Sequence, residues 1–459
     1  MTTTSPAPHL TQNYAPVMDE MTVRNLEVTG AIPPELSGWY LRNGPNPRDA
    51  DSAHWFLGDG MVHGVRIEGG RATSYRNRWV RTTKLTDGRR TYADGPEKDL
   101  AAGSANTHVV RHAGRTFALV EASLPYELDW RPGHEFDTVG PYDFGGRLST
   151  AMTAHPKTCP VTGELHFFGY GGFQPPFVTY HRADASGALT VSRPIDVPAH
   201  TMMHDFHLTT SYVVFMDLPV LFDQDTALHG DGLPYKWHPT YGARLGVLRR
   251  NAPFGAVRWL PIEPCYVFHA LNAYDEGRDS GRIVMHVARY PVFNETSATL
   301  WRWELDLDAG RVTEVQIDDT PCEFPRVDDR LAGRDSRFGH VTVADTPHVG
   351  TGLPRSYLVR YDLHSGTATR HEFAAGRTPG EAAFAAADDT PGGPGWLMSY
   401  VHDASTDKSD LVILDAQDVV APPVATIHLP RRVPFGFHGN SLPDVRRPHP
   451  PGRGGGART

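Results

Sequence analysis

The sequence predicts an all-β protein, either a β-propeller or a large β-sandwich. The chain has 459 residues, including 45 glycines and 39 prolines. This composition fits many short strands joined by tight turns better than it fits a helical protein. Short β segments followed by Gly, Asp or Pro turns recur along the chain, and long amphipathic helices are scarce. No clean internal repeat occurs near the usual propeller periods, so composition and periodicity do not give a number of blades.

Individual strands are predicted from the alternation and the continuity of apolar residues. Residues 300–307 alternate strictly, with Trp301, Trp303 and Leu305 facing one side and Arg302, Glu304 and Asp306 facing the other. More buried strands are predicted at five apolar runs: Arg115–Val120, Tyr212–Met216, Arg282–Val287, Tyr357–Tyr361 and Leu411–Leu414. Turns between strands are predicted at three pairs: Asp87–Gly88, Glu276–Gly277 and Ala309–Gly310.

The domain organisation follows from the even composition of the chain. No composition shift marks a domain boundary, and closed all-β architectures of this length form single domains. We therefore predict one domain over residues 1–445. Residues 446–459 are low in complexity and rich in Gly, Pro and Arg, and we predict that they form a disordered C-terminal tail.

Charge and cysteine content narrow the possible partners and compartments. The net charge is −9 and no basic stripe is evident, which argues against nucleic acid as a partner. The three cysteines, Cys159, Cys265 and Cys322, are far apart and suggest no disulfide framework. There is no signal peptide pattern and no apolar run long enough to span a bilayer. We expect a cytoplasmic protein without an obligate protein partner.

Four histidines occur in four unlike settings: His155, His204, His269 and His438. They are separated by 49, 65 and 169 positions, which is too far for one zinc finger or one helical pair. They can meet only if a large scaffold brings distant strands to one axis. Four neutral imidazoles without a carboxylate would suit a borderline ion such as iron(II). The chain has 24 histidines, so each of the four could equally be an ordinary surface or core residue.

Motifs for other chemistries are missing from the sequence. There is no Gly-x-Ser-x-Gly elbow, no phosphate-binding loop of the Walker type and no His-Glu-x-x-His segment. The glycine turns at residues 60–64 and 169–172 are not followed by a predicted helix, so nucleotide binding is not expected. A sugar-active or purely binding propeller remains an alternative, because propellers serve many functions.

Ordered motifs along the chain resemble one family. They are Leu41–Pro47, His54–His63, Ala105–His108, Glu121–Tyr126, Gly163–Tyr170 and Glu323–Arg326, together with the segments around the four histidines. They resemble the carotenoid cleavage oxygenases, which include the retinal-pigment-epithelium isomerase, plant carotenoid dioxygenases and bacterial lignostilbene dioxygenases. The resemblance covers the chain from about Gly30 to Asp444.

The resemblance implies a fold and a metal centre. The fold is a seven-bladed β-propeller, which makes 1–445 a single oxygenase domain with a loop and helical cap over a central metal site. The metal is iron(II), held by His155, His204, His269 and His438 near the propeller axis, and these histidines form the catalytic centre. Four ligands leave two positions of an octahedron, which we expect to be adjacent and to face the substrate.

The resemblance also implies carboxylates that hold the histidines. Glu121 matches the glutamate expected to accept a hydrogen bond from His204, and Glu323 matches the one expected for His269. Such partners fix the orientation and tautomer of an imidazole and balance the charge of the metal. The alternative for either glutamate is a solvated surface charge.

The third such carboxylate is less clearly defined by the sequence. Glu381 is the best match to the glutamate expected for His438, but Ala382 and Ala383 follow it where the family often has proline or a larger apolar residue. Asp388 and Asp389 lie close by and are alternatives.

The function that the resemblance implies is a non-haem iron(II) dioxygenase. It would cleave a conjugated carbon–carbon double bond of a carotenoid or apocarotenoid with dioxygen and give two carbonyl products. The expected partners are therefore a lipophilic small molecule and dioxygen. Alternatives are a stilbenoid double-bond dioxygenase, an isomerase that inserts no oxygen and a propeller binding module without catalysis.

The residue before Glu121 bears on the substrate. Relatives that cleave lignostilbene-type phenols carry a lysine there, paired with an upstream tyrosine that grips the phenol hydroxyl. This chain has Val120, and Tyr92 alone cannot supply the charge. We therefore predict that a carotenoid or apocarotenoid is preferred over a hydroxystilbene.

Two apolar segments suggest contact with a lipid surface. Residues 173–177 and 218–222 cluster apolar side chains near the stretches that carry the histidines. They are predicted either to form an apolar rim at a tunnel mouth that touches membranes peripherally, or to be buried under the cap.

Overall fold

The computed structural model describes residues 7–92, 97–230, 232–277, 280–295, 297–344 and 355–444. The predicted C-terminal tail at 446–459 lies outside these residues. No helix among them is long and apolar enough to cross a membrane.

The described strands, numbered in chain order, form seven blades of a propeller and one extra hairpin. The first blade contains β1 (Met21–Arg24), β3 (Gly38–Pro45), β4 (Gly60–Glu68), β5 (Arg71–Trp79) and β33 (Gly439–Pro443). The second contains β6 (His108–His112), β7 (Arg115–Leu119), β8 (Tyr126–Leu128) and β9 (Thr138–Pro141). The third contains β10 (Lys157–Thr158), β11 (Leu165–Tyr170), β12 (Val178–Ala183) and β13 (Leu189–Ile195).

The remaining blades follow in chain order. The fourth contains β14 (Phe206–Leu208), β15 (Tyr212–Asp217), β18 (Ala243–Arg249) and β19 (Arg258–Ile262). The fifth contains β20 (Tyr266–Asp275), β21 (Arg282–Tyr290), β22 (Thr299–Asp306) and β23 (Arg311–Gln316). The sixth contains β24 (Glu323–Arg326), β25 (Phe338–Val343), β26 (Tyr357–Asp362) and β27 (Thr367–Glu372). The seventh contains β2 (Val28–Gly30), β28 (Arg377–Pro379), β29 (Ala383–Ala386), β30 (Gly395–Asp403), β31 (Lys408–Asp415) and β32 (Ala425–His428).

The described helices are short. The α-helices are α1 (Thr83–Asp87) and α2 (Gln224–His229), and the extra hairpin consists of β16 (Val220–Phe222) and β17 (Tyr235–Trp237). The 3₁₀ helices are Pro8–Leu10, Gln12–Tyr14, Trp55–Leu57, Pro239–Tyr241 and Asp329–Leu331. Residues of α1, α2 and the hairpin line one cavity together with loop residues.

Strands from the two ends of the chain close the ring. In the first blade β33 pairs antiparallel with β3, with Asn440 opposite Leu41. In the seventh blade β2 pairs antiparallel with β32, with Val28 opposite Ile427. Each of these two blades therefore contains both N-terminal and C-terminal residues, which joins the first blade to the last.

The core lies between the blades. One buried apolar cluster occupies each of the seven interfaces between neighbouring blades. A blade is thus covered on both faces, and this arrangement excludes the sandwich alternative. It also explains Leu300, which alternation places on the polar side of β22. Leu300 is fully buried against the sixth blade, while Trp303 and Leu305 are buried against the fourth.

Most of the predicted strands are confirmed. The five apolar runs lie in β7, β15, β21, β26 and β31, and Gly277 and Gly310 lie in turns between successive strands with left-handed φ angles of 85° and 68°. The predicted strand-joining turn at Asp87–Gly88 is wrong. Gly88 instead ends α1 in the left-handed conformation, and its N–H bonds to the carbonyl of Lys84. Glycine suits both positions equally, so the dipeptide does not distinguish them.

Candidate metal centre

The four histidines singled out in the sequence lie in or just before the innermost strands of the propeller. His155 and His204 each lie two residues before β10 and β14, His269 lies within β20, and His438 immediately precedes β33. These strands face the centre of the ring: β14 contacts β20, β20 contacts β24, and β33 contacts β6 and β29. The closed ring therefore brings residues from four blades to one point.

The four imidazoles form a tight cluster. One ring nitrogen of each lies within 4.8 Å of one ring nitrogen of every other. The ring centroid of His155 lies 4.6 Å from that of His204, 5.0 Å from that of His269 and 4.5 Å from that of His438. His155, His269 and His438 are buried, and the side chain of His204 is 10% exposed.

Three of the four histidines face a carboxylate through Nδ1. Nδ1 of His204 lies 2.5 Å from Oε2 of Glu121. Nδ1 of His269 donates a hydrogen bond of 2.5 Å to Oε2 of Glu323. The hydrogen bond to Glu323 orients the ring of His269, and a proton on Nδ1 leaves Nε2 with a free lone pair, which is the state required of a metal ligand. The contact between Glu121 and His204 is close, but its geometry is not that of a hydrogen bond.

The third carboxylate is Glu381, not a nearby aspartate. Nδ1 of His438 donates to its Oε1 at 3.0 Å, and its Oε2 accepts from Arg326 at 3.0 Å and from the N–H of Gly439 at 2.7 Å. The glutamate is buried, whereas Asp388 and Asp389 are exposed. The two alanines after Glu381 are also buried, so the departure from the family pattern does not displace it.

A metal ion fits this donor set. Nε2 of His269 is buried and has no hydrogen-bond partner among the described residues. Nε2 of His204 lies 2.9 Å from Nε2 of His155. A buried ring nitrogen without a partner, as in His269, is costly unless a cation accepts its lone pair. Four neutral nitrogens suit a borderline divalent ion better than a hard ion such as Mg²⁺.

The electrostatics of the cluster agree with neutral ligands. Burial, followed by the neighbouring imidazoles, holds the pKa values of His155 and His438 well below the usual range. Burial also opposes protonation of His269, but Glu323 raises its pKa above the usual value. A cation would compete with protons for these ring nitrogens, so metal binding at the cluster is expected to depend on pH.

A buried carboxylate that sequence reasoning missed ties three of these segments together. Oδ1 of Asp205 lies 2.8 Å from Nζ of Lys157, and its Oδ2 accepts from the N–H of Ala270 at 3.0 Å. Asp205 follows His204, Lys157 lies two residues after His155 and Ala270 follows His269. The only sequence signal was this adjacency to three predicted ligands.

Sequence reasoning also missed a tyrosine behind Glu323. Oε1 of this glutamate accepts from the hydroxyl of Tyr290 at 3.0 Å, and its Oε2 accepts from the N–H of Phe324 at 2.6 Å. Tyr290 is the last residue of a strand whose pattern only indicates burial. His108 is a fifth histidine nearby, with its ring centroid 5.3 Å from that of His438, but it does not belong to the cluster of four.

Two cavities adjoin the cluster. The histidine cavity has a volume of about 480 Å³ and contains His204, His269 and His438 in its wall. Aromatic rings supply much of the rest: Trp55, Phe56, Phe268, Phe324 and Phe437. The lysine cavity has a volume of about 670 Å³ and contains Lys98 and Tyr92 in its wall. Phe56, Val120 and Glu121 line both cavities. The two cavities therefore lie side by side at Val120, the residue on which the substrate prediction rests.

The two apolar segments take different positions. Phe222 lines the lysine cavity, and its ring centroid lies 5.5 Å from that of Phe173. Phe177 instead packs against the apolar cluster between the third and fourth blades, and Leu218 is buried. Part of the segments thus lies at a cavity wall, and part packs between blades.

Comparisons with known proteins point to one family. The family model described as retinal pigment epithelial membrane protein matches residues 14–442. A carotenoid cleavage oxygenase of Mycobacterium tuberculosis is 39% identical over 95% of this chain and 97% of its own length. Carotenoid 9,10(9',10')-cleavage dioxygenase 1 of Arabidopsis thaliana is 32% identical over 94% of this chain and 89% of its own length.

Solved structures show the same fold. The lignostilbene dioxygenase of Pseudomonas brassicacearum superposes with a TM-score of 0.83 at 28% identity, covering 95% of this chain and 99% of its own. Cobalt-substituted apocarotenoid oxygenase of Synechocystis superposes with a TM-score of 0.81 at 27% identity, covering 96% of this chain and 99% of its own.

Proposed function

The chain belongs to the family of the retinal pigment epithelial membrane protein and the carotenoid cleavage oxygenases, and on that premise we propose an enzymatic function. The protein is a dioxygenase that cleaves a conjugated double bond of a carotenoid or apocarotenoid and gives two carbonyl products. The observation that carries the proposal is the buried cluster of four imidazoles beside an apolar cavity. Relatives described as carotenoid cleavage enzymes match nearly the whole chain.

The proposed cofactor is iron(II), held by Nε2 of His155, His204, His269 and His438. Bound there, it supplies a site for dioxygen next to the alkene. The absence of a charged ligand leaves the dipositive charge to be balanced by Glu121, Glu323 and Glu381 through the imidazoles. The cobalt-substituted relative supports a site of this donor type that accepts a divalent transition metal.

The remaining residues position the substrate and exclude water. The rings of Phe268 and Phe324 pack against the imidazoles, with centroids 5.3 Å from His204 and 5.6 Å from His269. An elongated polyene fits an apolar cavity of this kind, and its double bond is held in place by contacts along its whole length. The mechanism needs no side chain as nucleophile or general acid, in agreement with the lack of a free carboxylate in the cluster.

The test is cleavage by purified, iron-loaded protein. An apocarotenal should be converted to two carbonyl products, identified by mass, with one dioxygen consumed per cleavage. Binding without turnover would indicate the binding-module alternative, and a rearranged product without oxygen uptake would indicate an isomerase. Cobalt-loaded or metal-free protein is the matched control and should form no product.

The stilbenoid alternative is kept as a competing substrate class, since one structural relative is a lignostilbene dioxygenase. We prefer the carotenoid class because the two relatives reported above at over 30% identity are both described as carotenoid cleavage enzymes. Resveratrol offered in parallel with the apocarotenal decides between them. Cleavage of resveratrol alone would overturn the preference.

Contact with a lipid surface is part of the same proposal. Tyr92, Phe173 and Phe222 form an aromatic cluster, with Tyr92 and Phe222 in the wall of the lysine cavity, and such a cluster can take up a lipophilic molecule from a membrane or micelle. Replacing Phe173 and Phe222 with Asp should reduce vesicle binding and turnover of a dispersed substrate together. Unchanged turnover would remove the lipid contact from the proposal.

A further inference from the structure

We propose that Lys98 is a specificity residue that binds an oxygen atom at the end of the conjugated substrate. The preferred substrate then carries a terminal carbonyl, carboxylate or hydroxyl group, which share an oxygen acceptor that can face an ammonium group. This inference rests on the proposed function, because it concerns the end of the molecule whose double bond lies at the histidine cluster.

Lys98 is a cation without a carboxylate partner among the described residues. It lines the lysine cavity, and its Nζ donates one hydrogen bond of 3.3 Å to the backbone carbonyl of Tyr170. Two other cations of the same wall are paired: Lys84 lies 2.5 Å from Asp59, and Arg89 lies 2.6 Å from Asp99. Arg90, also in this wall, donates to the backbone carbonyl of Leu228. An ammonium group has three donors and no acceptor, so Lys98 has donors left for a ligand.

The carboxylate that favours the charged form of Lys98 is already engaged elsewhere. Glu121 raises the pKa of Lys98, but burial outweighs this effect and lowers the pKa to about 8. The Oε2 of Glu121 lies 2.5 Å from Nδ1 of His204, and this contact orients the imidazole. The glutamate therefore cannot turn toward the lysine without releasing a proposed metal ligand.

The space around the ammonium group of Lys98 depends on a neighbouring glycine. Gly171 has a φ of 132°, and a Cβ there would lie 2.7 Å from Nζ of Lys98. A larger residue at position 171 would push the lysine away. The side chain of Tyr170 is buried and lines the same cavity, and its hydroxyl lies beside Glu121 and Tyr235. The unused donor capacity that a substrate oxygen can meet is that of Lys98.

The two cavities share three lining residues, Phe56, Val120 and Glu121. In the proposed binding mode, a rod-like molecule held at the histidine cluster extends past Val120 toward Lys98. A hydrocarbon end group would displace water from the ammonium and offer no acceptor, which is unfavourable. An oxygen at that end replaces the lost water. Val120 carries no charge, and Lys98 supplies the positive charge from another segment of the chain.

The experiment compares Lys98→Met with wild type on matched substrates. The substrates are an apocarotenal, the corresponding apocarotenoic acid and β-carotene, which has hydrocarbon ends. In the variant, kcat/KM for the two oxygen-bearing substrates should fall about tenfold or more, mainly through KM, because a site built around a polar contact loses that contact. The value for β-carotene should change less than about twofold. Lys98→Arg should retain part of the preference, and the exposed Lys408→Met is the matched control.

The outcomes separate this inference from the proposed function. Equal losses on all three substrates, or no loss on the apocarotenal, would overturn the role of Lys98 while leaving the dioxygenase intact. Wild-type protein that cleaves β-carotene as well as the apocarotenal would do the same, and this measurement does not depend on how well the variant folds. If iron-loaded wild type cleaves none of the substrates, the proposed function fails and this inference fails with it.

Discussion

The histidine cluster and the wall around Lys98 both place polar groups in apolar surroundings, but they satisfy those groups to different degrees. At the cluster two of the three carboxylates are themselves held: Glu381 by Arg326 and Gly439, and Glu323 by Tyr290 and Phe324. At the other wall Lys98 has one long hydrogen bond to a carbonyl. Carboxylates held by several hydrogen bonds fix the geometry of the imidazoles that they contact. The ammonium group of Lys98 has donors left for a ligand, so a substrate that brings an acceptor completes its hydrogen bonds. Such a group suits a site that selects among substrates.

The largest effect is expected from removing a histidine of the cluster. His155→Ala, His204→Ala, His269→Ala and His438→Ala should each lower bound iron and abolish cleavage, because no neighbouring group can replace the lost lone pair. Metal analysis of the purified variants, together with product formation, measures both effects. His207→Ala is the control, since its Nδ1 contacts only the backbone of Leu208. Full iron and activity in His438→Ala would falsify the ligand assignment.

The second effect tests whether the order of the cluster depends on Asp205. Asp205→Asn leaves the mostly buried Lys157 without its carboxylate, and breaking such a pair costs about 3 kcal/mol of the free energy of unfolding. Urea denaturation of the metal-free protein measures this loss. An Asp205→Asn protein as stable as wild type would show that the three segments are held by other contacts.

A smaller effect is expected from the carboxylates. Glu121→Gln, Glu323→Gln and Glu381→Gln should each reduce metal affinity or turnover by about 10–100-fold without abolishing it. Competition with a chelator gives the metal affinity. Asp388→Asn, at an exposed position, should match wild type. If Asp388→Asn lowers metal affinity or turnover while Glu381→Gln behaves as wild type, the assignment of Glu381 as the partner of His438 is wrong.

The smallest effect should come from Tyr290→Phe. The substitution removes one hydrogen bond to Glu323, worth about 1 kcal/mol, and keeps the ring that packs at the cavity. Turnover should fall about fivefold, with less change in KM than Lys98→Met causes for an oxygen-ended substrate. If Tyr290→Phe instead alters the choice among substrates, the division between a fixed cluster and a selective wall is wrong.

The sequence was informative where function is tied to a local motif. His269 and Glu323 lie in segments whose order and spacing resemble a family, so their convergence could be predicted although 54 positions separate them. Strands could be predicted from alternation. The burial of Leu300 could not, because alternation assumes that one face of a strand is exposed to solvent, whereas both faces of this blade are covered.

Lys98 could not be found in the same way. It lies between Glu97 and Asp99, and three charged residues in a row are typical of a solvated loop. Its position in the cavity depends on how the loop crosses the face of the propeller, and on the space beside Gly171. Such a contact between distant segments leaves no periodicity or motif in the sequence. The same holds for Tyr290 and Glu323, which only the pairing of blades brings together.

The closure of the ring by β33 has a consequence for biosynthesis. His438 immediately precedes this strand, and Asn440 pairs with Leu41 near the other end of the chain. A ribosome-bound nascent chain that has emerged only as far as the sixth blade can present three of the imidazoles but not the fourth. A chain cut short before His438 would therefore lack both the strand that pairs with β3 and the fourth imidazole of the cluster.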